Sequence, residues 1–201
     1  MRAVVRRARR VILTRDLRRL HDVLAATPLT GRYAVTGGML LGWARDGRLL
    51  LDDLRDVDFV FEAPDAPAFA SAVPMLVRAG FEPKMRFRNN DGEPVFYRFK
   101  RHGACFEFFV VWNVDGRTRY YMFDGEELVC ERLHQPNTPF DFLGRSWLKP
   151  ADHERALSDN YKDWRGPASG WSYAQARTVI ARHPARFVPE AWDATEMLGT
   201  G

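Results

Sequence analysis

Leu13, Leu17, Leu20 and Leu24 recur at the three- and four-residue spacing of one helical face, which predicts an amphipathic helix over 13–26. Thr27-Pro28 ends it, and Thr30-Gly31 turns the chain into a short β-prone run, Tyr33 to Thr36. A helix over Met39 to Arg45 follows directly on Gly37-Gly38. A polar loop over 46–55 then leads to a strand, Asp56 to Glu62, in which apolar Val57, Phe59 and Phe61 alternate with the residues of the other face. Pro64 to Ala79 reads as a helix closed by Gly80, with Pro74 kinking or shortening it. β-like segments near 84–88, 95–101 and 104–112 are separated by Asn90-Asp91-Gly92 and Arg101-His102-Gly103, and a strand pair is predicted over 118–130. Asn137 to Pro150 reads as loop-rich around Phe140-Asp141-Phe142-Leu143, a helix near 151–162 follows, and the chain from Gly166 is rich in Trp, Pro and Gly. This order predicts one α+β domain over 1–201, with a core of about 30–130, a C-terminal helical lobe over about 137–185 and a basic N-terminal extension over 1–12.

At 201 residues, with 46% hydrophobic and 28% charged positions, the chain can bury a sizeable core and has the balance of a soluble globular enzyme. No window approaches the roughly 20 apolar residues that cross a bilayer, and no signal-peptide stretch follows the basic start, so a cytoplasmic setting is expected. Cys105 and Cys130 form no metal-ligand pattern and fit a reducing compartment, with a disulfide between them left open. The formal charge of +4 is uneven: Arg2, Arg6, Arg7, Arg9, Arg10, Arg15, Arg18 and Arg19 crowd the N-terminus. No aromatics interleave with them to stack on bases, which argues against nucleic acid. A solvated helix face is the plain reading, and peripheral contact with the inner face of a membrane is the functional one.

The chemistry concentrates between Gly37 and Asp58. Residues two apart on a strand share a face, so Asp56 and Asp58 project together, and two adjacent carboxylates need a cation or donor to offset their repulsion. Hard oxygen ligands of this type suit Mg²⁺ or Mn²⁺, and such ions suit phosphoryl chemistry. Glu107 stands in the otherwise apolar run Phe106-Glu107-Phe108-Phe109 and needs a partner: a shared metal, a role as general base, or an ion pair with an arginine such as Arg98. Gly37 and Gly38, at a strand-to-helix turn, let a phosphate approach a helix N-terminus, or mark only a tight turn. Arg45 is a candidate for the same phosphate, and Asp52 and Asp53 are loop acids available to substrate or to capping. His21, His102, His134, His153 and His183 have no ligand spacing, and no serine elbow, Walker loop or paired cysteine motif is present.

The order of these parts resembles the nucleotidyltransferase fold and, more narrowly, the LicD/fukutin-like phosphotransferase family. Gly38 to Arg45 matches its Gly-x-Leu-Leu-Gly-x-x-Arg segment, Asp56 and Asp58 its Asp-x-Asp, and Glu107 its downstream acid on a hydrophobic strand. Phe142-Leu143-Gly144, Lys149-Pro150, Leu157 and Tyr161 to Pro167 resemble its terminal signature. Leu54-Arg55 interrupts the usual continuous acidic run, Met39 and Lys162 replace small residues, and Glu107 stands for the more frequent Asp. The resemblance implies a nucleotidyltransferase-like mixed β-sheet flanked by helices. It further implies transfer of a phospho-alcohol group, such as phosphocholine or ribitol phosphate, from a CDP-activated donor to a glycan or glycolipid hydroxyl. Asp56, Asp58 and Glu107 would be the catalytic and metal residues, and Gly37, Gly38, Arg45 and Asp53 would contact substrate. The alternatives are nucleotidyl transfer from an NTP to a small acceptor, and a non-catalytic binding module of the same fold.

Overall fold

The computed structural model describes residues 2–50, 54–166, 176–184 and 190. Helix α1 (Arg2–Ala25) starts well before the leucine spacing does, because the arginine-rich stretch contains neither Gly nor Pro and carries good helix formers. The basic residues from Arg2 form the first turns of α1. Leu13, Leu17, Leu20 and Leu24 are its buried stripe.

Strand β1 (Tyr33–Thr36) runs straight into α2 (Gly37–Asp46), and β2 (Asp56–Glu62) follows with the bounds its alternation predicts. A short 3₁₀ turn (Ala63–Asp65) precedes α3 (Ala66–Arg78), which continues through Pro74. Five strands come next: β3 (Glu82–Arg88), β4 (Pro94–Arg101), β5 (Ala104–Val114), β6 (Arg117–Phe123) and β7 (Glu126–Leu133). The chain then forms β8 (Asn137–Phe142), β9 (Arg145–Pro150), α4 (His153–Tyr161) and β10 (Val179–Pro184). The segment expected to be loop-rich is thus a hairpin. Leu143 (φ 54°) and Gly144 (φ 71°) make its two-residue turn, a backbone shape that leucine does not announce, and Pro139 obscures the strand pattern. Over 137–185 the described helix is α4, and the described strands are β8, β9 and β10.

Among the described residues one mixed sheet holds eight strands in the order β1-β2-β5-β6-β7-β10, with β4 also on β5 and β3 on β4; β8 and β9 pair separately. β2 and β5 are parallel, joined by the crossover through α3, β3 and β4, and the other pairs are antiparallel. On one face Phe59, Phe61, Phe106 and Phe108 pack with the α1 leucines, with Phe69, Val73 and Leu76 of α3, and with Trp147 of β9. Phe59 stacks at 5.1 Å on Phe108, and Phe61 at 4.6 Å on Phe69. Fully burying such rings contributes about 1.5–3 kcal/mol each, so this face holds the sheet rigid beneath whatever the other face carries. On the other face Tyr120, Met122, Leu128 and Cys130 form a smaller cluster with Val111, against which Val60 and Phe109 pack. That cluster covers the later halves of β2 and β5.

Candidate active site

The acids stand in the first halves of the two parallel strands. Register aligns Thr36, Asp58, Glu107, Arg98 and Met85 in one row across β1, β2, β5, β4 and β3. Asp56 lies one pair earlier, opposite Cys105. The alternation that buries Val57 and Phe59 therefore delivers Asp56 and Asp58 to the same face as Glu107.

Gly37 has φ 60°, and a Cβ there would collide with the Asp58 carboxylate. The glycine's open side is thus filled by Asp58, which rests against the first residue of α2. A helix N-terminus carries partial positive charge, so this seat favours a carboxylate and any phosphate that joins it.

Glu107 is only 7% exposed, and Arg98 Nε donates to its Oε1 at 2.7 Å. Burial pushes the Glu107 carboxyl above its ordinary range; the Arg98 guanidinium pulls it back, Asp56 pushes it up further, and the net direction is upward. The Arg98 guanidinium also lies 5.4 Å from the Phe96 ring centre and 3.9 Å from Met85 Sδ, which fixes its position. Cys105 is half-buried on the same face, and burial raises its thiol, which disfavours a nucleophilic role. Both cysteines are free.

Arg45 is not brought to the glycines. It sits in the last turn of α2, about 12 Å along the helix from Gly37, paired to Asp46 at 3.0 Å and donating to the Gly166 carbonyl at 3.2 Å. It braces the segment after α4. Asp52, Asp53 and Pro167 lie outside the described residues.

Among the described residues no group of three or more His, Cys, Asp and Glu is gathered to hold a metal, since Glu107 is turned to Arg98. Asp56 and Asp58 still fit Mg²⁺ or Mn²⁺, because such ions commonly take one or two carboxylates and complete their shell with water and substrate phosphates.

The sequence reading did not include what lies beyond Asp58 on this face. Thr36, Val60, Phe109, Val111, Tyr120 and Arg132 line a narrow crevice, and Val60, Val111 and Arg132 also line a cavity of about 260 Å³ next to it. The signal was available in β7, where Leu128 and Cys130 point inward and Arg132, next in that alternation, breaks the apolar pattern.

No family model matches this chain, and no curated protein sequence matches it. Among solved structures it is similar to the lincomycin-bound crystal structure of the lincosamide antibiotic adenylyltransferase LnuA. The identity is 15%, over 65% of this chain and 77% of that one, with a TM-score of 0.41.

Proposed function

We propose that this chain is a metal-assisted transferase that moves a phosphorus-centred group from a nucleotide-activated donor to a hydroxyl acceptor. The observation that carries the proposal is the row in which Asp58, seated on the N-terminus of α2, stands beside Glu107 held by Arg98. Asp56 and Asp58 would hold Mg²⁺ or Mn²⁺, which when bound supplies positive charge for the donor diphosphate and its leaving group. Gly37 gives the Asp58 carboxylate its place, and the start of α2 offers backbone N–H groups to the phosphates. Arg98 holds Glu107 Oε1, so Oε2 would take the proton of the acceptor hydroxyl, and a pKa raised by burial makes the carboxylate a stronger base for that duty.

The resemblance to the LicD/fukutin-like family narrows the group to a phospho-alcohol and the donor to a CDP-alcohol. The test is turnover with CDP-choline, CDP-ribitol, CTP and ATP, each with Mn²⁺ and a panel of sugar acceptors. Release of CMP from a CDP-alcohol supports phospho-alcohol transfer. Pyrophosphate released from an NTP would assign nucleotidyl transfer instead, and inertness toward every donor would favour a non-catalytic module.

A further inference from the structure

The cavity beyond the crevice contains two charged groups that, among the described residues, form no ion pair. Arg132 is half-buried on the inner side of β7, and among the described residues its side chain makes no hydrogen bond or ion pair; its guanidinium lies 5.7 Å from the Tyr120 ring centre. Glu62, at the end of β2, lines the same cavity and its carboxylate likewise has no such partner among the described residues. Arg32 and Asp65, also in the lining, are paired with each other at 2.9 Å and are satisfied. A fork-shaped cation facing inward over an aromatic ring, with no carboxylate of the described residues within ion-pair distance, is built to meet an anion that arrives with a ligand. Glu62 supplies acceptor oxygens for hydroxyl groups in the same space.

The cavity also has a fixed relation to the acids. Thr36, paired with Asp58, opens the crevice, and Val60, two residues beyond Asp58 on the same face, lines both spaces. Glu62 is roughly 13 Å along the strand from Asp58. A six-carbon sugar carrying an acid group spans most of that distance, and the volume of about 260 Å³ admits a molecule of this size.

We propose that this cavity is the acceptor site and that it takes a polyhydroxylated molecule bearing a phosphate or carboxylate, with the anionic group on Arg132 and hydroxyls on Glu62. The proposal rests on the reading of the chain as a transferase to a hydroxyl. It is tested by a measurement that needs neither donor nor metal.

Calorimetric titration of the full chain with glucose 6-phosphate, glucuronate and glucose, without nucleotide, separates the contributions. At least one acid-bearing sugar should bind about 10-fold or more tightly than glucose, and the better of the two identifies the anion as phosphate or carboxylate. Arg132→Gln should weaken that sugar by about 10- to 100-fold, with Arg132→Lys in between because it keeps charge and loses the fork. Glu62→Gln should weaken all three sugars alike. Melting temperatures close to the wild type's establish that the variants are folded. Equal affinity for the three sugars, no binding of any, or an Arg132→Gln variant that binds like the wild type would overturn the assignment. Nucleotide with Mn²⁺, titrated into wild type and Arg132→Gln, should bind both equally. Loss of nucleotide binding in the wild type would instead strike the transferase reading, whatever the sugars do.

Discussion

Gly37 and Asp58 constrain each other more tightly than their spacing in the chain conveys. Gly37→Ala meets both a left-handed backbone and the Asp58 carboxylate, whereas Gly116, at φ 75° with open space around it, meets only the first. Gly116→Ala should therefore cost about 1 kcal/mol and Gly37→Ala at least about 2 kcal/mol, read as a larger drop in melting temperature. Equal losses would mean that Asp58 does not sit against Gly37. Glu107 carries a pH signature of its own. Its folded-state pKa is raised, so the fold prefers the protonated acid, and its contribution is present below the ordinary carboxylate range and lost as pH rises through the folded value. Glu107→Gln should thus gain in melting temperature relative to wild type as pH rises above the ordinary carboxylate range. A difference that does not change with pH would contradict the raised pKa. At this scale the sequence was most legible: alternation placed Asp56 and Asp58 on one face, and the apolar run around Glu107 called for a partner, an arginine such as Arg98 being one of the three readings. It gave no sign that the open side of Gly37 is taken by a carboxylate, because that depends on how β1 pairs with β2.

Elements depend on a few ties that cross between them. Asp16, fully buried on α1, accepts from Arg101 Nε at 3.0 Å and lies 2.8 Å from His102 Nδ1, binding the helix to the β4–β5 turn. Asp16→Asn weakens the Arg101 ion pair and the His102 hydrogen bond and should lower unfolding stability by about 2–3 kcal/mol in urea titration, discounted for the partly exposed partners. Asp22, half-exposed and paired to Arg145 at 2.7 Å, should lose far less on the same change. Comparable losses at the two sites would show that burial is not what gives the Asp16 tie its weight. Strands β1 and β2 were legible to the residue because apolar runs there are bounded by turn residues. The β8–β9 hairpin was not, since its turn uses a leucine at positive φ, and β10 is held by pairing to β7 that local pattern does not encode.

At the scale of the whole molecule, the sheet's two faces divide the work. One is filled by aromatic rings and helices, and the other leaves Asp56 and Asp58 accessible at one end and closes over Val60 and Phe109 at the other. The α+β class followed from the order of strands and helices, and the mixed sheet is what the family resemblance implied. The convergence of Asp58, Glu107 and Arg98 required the parallel register of β2 and β5 together with the antiparallel return of β4, and both are set by long-range packing. The Arg132 cavity depends on β6 and β7 packing onto that face, which again no local window shows. Among the described residues no helix is long and apolar enough to cross a membrane. The central claim is that Asp56 and Asp58 bind a divalent ion together with a nucleotide. Electron paramagnetic resonance of Mn²⁺, titrated with CDP-choline or an NTP into wild type and Asp58→Asn, tests it most directly. The account predicts nucleotide-dependent Mn²⁺ binding in the wild type that weakens about 10-fold or more in Asp58→Asn; equal binding in the two proteins, or none in either, would contradict it.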